Sequence, residues 1–148
     1  LGKVFALSRR SIALDFRIPS SLYLFISVDP GSPRTYLIRR RLKDLESESG
    51  PPQTFHLLLK KYLSGADLFE IEKLHDERVL IFKFATSNDL GEAASLSLSV
   101  QLTGRSSNVL LLDPRGNVVG ALVEKDTDGQ RIGDKYLVPT RPEPRIAA

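Results

Sequence analysis

The stretch from Pro51 to Gly65 holds the one clear helical period in a chain whose other apolar residues mostly alternate. Phe55, Leu58, Leu59, Tyr62 and Leu63 fall at i, i+3, i+4, i+7 and i+8, which gathers them into a single stripe. The ends agree with a helix over about 51–64. Ser49 stands near the N-cap, and proline suits the first helical position. Lys60 and Lys61 sit in the last turn against the negative end of the dipole, and Gly65 can take the left-handed conformation that closes a helix. One amphipathic helix must bury its stripe against the β-structure on either side of it. The expected fold is therefore α+β, mainly β: a β-sandwich with one central helix.

Along the chain, Lys3–Arg9 and Ser11–Arg17 read as a hairpin turning at Arg9-Arg10, with Ile12, Leu14 and Phe16 on one face. Leu22–Val28 is more continuously apolar, as a strand covered on both faces would be. Asp29-Pro30-Gly31-Ser32-Pro33 is turn chemistry before a short strand from Arg34 to Ile38, and Arg39–Gly50 reads as an exposed connection. After Gly65 come strands around Leu68–Ile71 and Arg78–Phe84, then Leu96, Leu98, Val100 and Leu102 in strict alternation. A turn at Thr103–Ser107, an apolar return from Asn108 to Asp113 and a turn at Pro114–Asn117 lead to Val118–Val123. Small residue, strand, corner and longer strand recur after Gly2 and after Gly65, the pattern either of two related halves or of generic hairpins. Residues 1–124 are read as one domain, and 125–148 as an irregular tail or linker.

At 148 residues with 41% apolar content the chain can bury one good core, and no apolar run approaches the roughly 20 residues of a membrane-spanning helix. The absence of cysteine removes disulfides, thiolate nucleophiles and cysteine-type zinc sites, a composition suited to a cytoplasmic location. A formal charge of +3 and a pI near 9.3 are compatible with nucleic acid, and Arg9-Arg10, Arg39-Arg40-Arg41 and Lys60-Lys61 are local basic groups. A strand begins almost at Leu1, with no initiator methionine, which suggests a piece of a longer protein.

Little in the chain suggests an enzyme. The two histidines, His56 and His75, lack metal-ligand spacing, and no nucleophile elbow, P-loop or dinucleotide fingerprint occurs, so neither metal nor cofactor is expected. Two polar groups stand out. Asp76-Glu77-Arg78 is either a solvated hairpin corner or a recognition site, the arginine on a phosphate or base edge and a carboxylate accepting from a base amino group. Gly104-Arg105-Ser106-Ser107-Asn108 is either an anion cradle or a turn whose side chains bond their own backbone.

Taken in order, several runs resemble the NFACT-N domain of fibronectin-binding-protein-A-like and RqcH/NEMF proteins. They are Pro51-Pro52-x-x-Phe55-x-Leu57-Leu58-Leu59-Lys60-Lys61-x-Leu63-x-Gly65, Ile71-Glu72, Arg78-Val79-Leu80, Leu90-Gly91, and Leu102-Thr103-Gly104-Arg105-Ser106-Ser107-Asn108 before Leu111-Leu112-Asp113. The resemblance spans nearly the whole chain. It implies a fold akin to the N-terminal domain of formamidopyrimidine-DNA glycosylases, within a protein that binds tRNA and the large ribosomal subunit. It implies no glycosylase catalysis, because those enzymes use an N-terminal proline and glutamate where this chain has Leu1-Gly2.

The family's Asp-Arg pair aligns with Glu77-Arg78, and its Glu-Leu-Met-Gly-Arg stretch with Gln101-Leu102-Thr103-Gly104-Arg105. In the helix, His56 replaces an expected cysteine and Lys60 an expected arginine. The resemblance thus points to a non-catalytic RNA-binding module of translation quality control, with Glu77, Arg78, Arg105, Lys60, Lys61 and Asn108 as RNA-binding residues. The rival readings are a surface adhesin binding fibronectin, after the older family name, and a purely structural domain.

Overall fold

In the computed structural model, which describes residues 1–51, 53–74, 77–87 and 90–139, the alternating runs form two antiparallel meanders. The first sheet is β1 (Val4–Ser8), β2 (Ser11–Ile18), β3 (Leu22–Ser27) and β4 (Arg34–Arg39), hydrogen-bonded in that order. The second is β5 (Asp67–Lys73), β6 (Val79–Ser87), β7 (Ala93–Gln101), β8 (Asn108–Leu112) and β9 (Val118–Ala121). Between them in sequence come two short helices, α1 (Leu42–Glu48) and α2 (Thr54–Leu63).

Period-two patterning puts one apolar face of each sheet against the other. Ile12, Leu14, Leu24, Ile26 and Val28 of the first half meet Phe82, Phe84, Leu96, Leu98, Val100, Val109 and Leu111 of the second in one core. Phe16 bridges the sheets, its ring nearly parallel to those of Phe82 and Phe84 at 6.3 and 6.0 Å. Helix α2 completes this core with Phe55, Leu59 and Leu63, spaced at i, i+4 and i+8. The buried stripe is narrower than the periodicity predicts. Leu58 is only partly covered, and Tyr62 is 37% exposed beneath the Lys61 ammonium.

The helix starts later than expected. Thr54 is its first residue, Pro51 lies outside it, and Pro52 falls outside the described residues. Its N-cap is Gln53, which makes no capping bond and instead donates its side-chain amide to the Ser8 carbonyl at 3.0 Å. Ser49 serves the other helix: its N–H and hydroxyl both donate to the Leu45 carbonyl, closing α1. The C-terminal expectation holds, with Gly65 at φ 77° directly after the Ser64 cap.

Helix α1 corrects the expectation of one central helix and an exposed connection. Seven residues with two leucines carry too little periodic signal to be read, and such a helix is marginal alone. Tertiary contact decides it. Leu45 is fully buried on Phe5, Ala13 and Tyr23, the residues of the first sheet that face away from the shared core.

Beyond β9, Glu124–Pro139 contains no helix or strand beyond a single bridge, yet it does not hang free. Tyr136 packs on Leu110, Leu112, Val118 and Ala121, on the outer face of the second sheet. The tail assigned to 125–148 is thus attached to the sandwich through residue 139, and its remainder lies outside the described residues.

Because Leu59 is completely buried between both sheets, Leu59→Ala is expected to lower the unfolding free energy by about 2–5 kcal/mol in a denaturant titration. Leu57→Ala, on the exposed face of the same helix, should change it by less than about 0.5 kcal/mol.

Candidate nucleic-acid interface

Antiparallel pairing brings the two polar groups picked out in the sequence to one end of the second sheet. Val79 opens β6 opposite Gln101, which ends β7, and Gln101 pairs onward with Asn108 at the start of β8. One step beyond, the Leu102 N–H donates to the Arg78 carbonyl at 2.8 Å. The corner carrying Glu77 and Arg78 therefore adjoins the turn carrying Arg105. Both arginines are exposed. One carboxylate oxygen of Glu77, Oε2, is shielded from solvent and has no hydrogen-bond partner among the described residues. Asp76 and His75 lie outside the described residues.

The Arg105 turn is a single turn of 3-10 helix over Gly104–Ser106, with Gly104 at φ 68°. Its serines do bond locally: the Ser106 hydroxyl contacts Thr103 Oγ1 at 2.6 Å. It is also held from outside. The Gln101 side-chain amide donates to the Ser106 carbonyl at 2.8 Å, and Lys125 Nζ donates to the Arg105 carbonyl at 2.6 Å. Tyr136 in turn donates to Gln101 Oε1 at 2.5 Å, which leaves the Ser99 hydroxyl to donate to Tyr136 across 2.6 Å. This chain of hydrogen bonds fixes the base of the Arg105 turn and leaves the Arg105 side chain in solvent. Burial pushes the Tyr136 hydroxyl up to about 12, against the opposing effect of its Ser99 bond.

Asn108 serves the backbone. It is fully buried, donates to the Val123 carbonyl at 2.7 Å and accepts from the Val109 and Val123 N–H groups at 2.9 Å each. With all of these bonds made to backbone, its side chain positions the start of β8 beneath the surface.

Lys60 and Lys61 are exposed but distant from the arginines. Helix α2 ends at Leu63, and Gly65-Ala66 lead directly into β5, whose first residue Asp67 pairs with Ala85. Ala85 lies six residues along β6 from Val79, about 20 Å at the strand rise. The cation that the fold brings toward the Arg105 turn is instead Arg10. Burial lowers the Lys125 pKa, and the Arg10 charge lowers it further. Arg10 was visible in the sequence as part of a basic pair. Lys125 and Tyr136 gave no signal, because their partners lie 20 and 35 residues away.

His56 is half-buried, its Nδ1 shielded and without a partner among the described residues, and burial, then Lys60, lowers its pKa. Among the described residues no group of three or more His, Cys, Asp or Glu is placed to hold a metal ion. No helix among them is long and apolar enough to cross a membrane.

Two facing meanders sharing a core with a short helix define a β-sandwich that presents charged loops from one end. Residues 1–143 match the family described as NFACT N-terminal and middle domains, and the chain belongs to that family. It is 31% identical over 96 residues to the Rqc2 homolog RqcH of Bacillus subtilis, covering 65% of this chain and 16% of the relative. It is 37% identical over 62 residues to that of Streptococcus suis, covering 42% of this chain and 11% of the relative. Among solved structures it resembles the N-terminal domain of the fibronectin-binding protein PavA from Streptococcus pneumoniae. The TM-score there is 0.81 at 23% identity, over 95% of this chain and 54% of the other. The fibronectin/fibrinogen-binding protein FBPS from Streptococcus suis gives 0.81 and 23%, over 96% and 54%. The chain thus matches only small parts of the curated relatives and about half of each of these two structures.

Tyr136→Phe removes the hydroxyl joining Ser99 to Gln101 and is expected to cost about 1 kcal/mol of stability near neutral pH. A folded-state pKa raised above the unfolded value of 10.0 means that stability is intact below pH 10 and is lost as pH rises toward about 12. Unfolding titrations of both proteins across that window should show the alkaline loss reduced in Tyr136→Phe.

Proposed function

We propose that the chain is a non-catalytic RNA-binding module of a ribosome-associated, cytoplasmic translation quality-control protein, engaging tRNA and, through the full-length protein, the large ribosomal subunit. The observation that carries this reading is the meeting of Arg78 and Arg105 at one end of the second sheet, in a chain of the NFACT family with RqcH relatives. Two exposed guanidinium groups on adjoining loops can each contact a phosphate or a base edge. The carboxylate of Glu77, beside Arg78 at this corner, can accept a hydrogen bond from a base amino group through its other oxygen. Asn108, Lys125 and Gln101 hold the loop backbone for this contact. Lys60 and Lys61 contribute a separate basic contact from the far end of the helix.

The wider fold kinship consistent with this reading is with the N-terminal domain of formamidopyrimidine-DNA glycosylases, without their chemistry. Fibronectin appears in the names of structural neighbours at 23% identity, which support the fold alone.

Titration of fluorescent tRNA across a salt series tests the reading. Affinity should fall steeply with salt, and Arg78→Ala and Arg105→Ala should each weaken it and flatten the log–log slope by about one. Salt-independent binding, or binding that both variants leave intact, would count decisively against an interface at this end of the sheet.

A further inference from the structure

The formal charge of +3 conceals a strong segregation. Residues 1–41, which hold the whole first sheet, carry eight lysines and arginines against two aspartates, a net +6. Residues 42–148 are therefore net −3. A polyanion approaching this protein is attracted to the first sheet, although the arginines of the proposed tRNA contact lie on the second.

The outer face of that sheet is only half covered. Its register sets Phe5, Ala13, Phe25 and Tyr36 side by side across the four strands, and Ser11, Ser27 and Arg34 in a parallel row. Leu45 of α1 seals Phe5, Ala13 and Tyr23. Beyond it the Phe25 and Tyr36 rings lie together at 5.3 Å, with the Arg34 guanidinium 5.5 Å over Phe25. Tyr36 is 49% exposed on edge strand β4. Arg34 is held by bonds from Nη1 to the Ser32 carbonyl and hydroxyl, both at 2.9 Å. Arg9 and Arg10 turn the chain at this end of the sheet, while Arg39 ends β4 at the other and Arg40 and Arg41 follow it. The acid in the adjoining turn, Asp29, already accepts from the Gly31 N–H at 3.1 Å.

We infer that the uncovered half of this sheet, centred on Tyr36, Phe25 and Arg34, is a stacking platform for an unpaired stretch of RNA. An aromatic face takes bases of any identity, Arg34 on the same face can meet a phosphate, and the arginines at the two ends of the sheet attract the phosphates that join the bases. A duplex keeps its bases stacked inside and cannot use the rings, so the platform selects single strands. The inference deepens the tRNA reading and rests on it only for the choice of RNA. Its contacts are separate from Glu77, Arg78 and Arg105.

Anisotropy titration of the chain with a labelled oligouridylate of about ten nucleotides tests the platform. Tyr36→Ala is expected to weaken binding about tenfold, the loss of one stacked base, and Tyr36→Phe to remain within about twofold of the unmodified chain. The Arg78→Ala, Arg105→Ala double variant should keep its oligouridylate affinity while losing tRNA affinity, so the two readings fail separately. Absence of oligouridylate binding, indifference to Tyr36→Ala, equal affinity for an RNA duplex, or equal competition by polyglutamate would each overturn the inference. Tyr36 is exposed, and an unchanged thermal midpoint in each variant separates loss of binding from loss of fold.

Discussion

Phe55, Leu59 and Leu63 sit where the inner faces of two sheets come together, and the structure on both sides depends on that burial. Each meander has one apolar face, and each must cover it to be stable. Full burial of each of these side chains stabilises the fold by about 1.5–3 kcal/mol, a large share of the small net stability of a domain this size. The helix also connects the two sheets in sequence. Its C-terminal glycine turns the chain directly into β5, and the Gly65 N–H donates to the Leu1 carbonyl at 2.9 Å. The same residues thus close the core and set where the second sheet begins.

From that core, alternation carries order outward to the polar loops. Val100 points into the shared core while its neighbours Ser99 and Gln101 face out, so a rigidly packed strand presents two polar groups at a fixed height. Tyr136 joins them, and Gln101 passes the connection to the Ser106 carbonyl. Loop arginines are usually mobile, and ordering them on a ligand costs side-chain entropy. Here the backbone beneath Arg105 is already fixed, so the remaining cost is that of the side chain alone.

The sequence was most legible where packing follows period. Leu96, Leu98 and Val100 alternate with Ser97, Ser99 and Gln101 because one face of their strand packs in the shared core and the other does not, and all three lie in the core. Gly65 was legible because its left-handed φ is a local property. Helix α1 was not, since Leu45 becomes informative only when Phe5, Ala13 and Tyr23 form a surface for it. Ser49 and the prolines misled for a related reason: they fit a helix start by type, but the nearby α1 claimed the serine as its C-cap. The corner and the Arg105 turn could be picked out by residue type, whereas their adjacency follows from strand register. Asn108 belonged to the right turn, but its spacing could not show that its hydrogen bonds would all go to backbone.

Charge segregation gives the two proposed RNA surfaces a shared boundary. Burial lowers the Lys125 pKa first, and Arg10, in the turn at one end of the first sheet, lowers it further. Lys125 in turn holds the Arg105 carbonyl. Two like charges therefore meet at the seam between the basic half of the molecule and the arginine end of the acidic half, with Glu124 in the same groove as Arg10. A phosphate at that seam would be attracted by both cations.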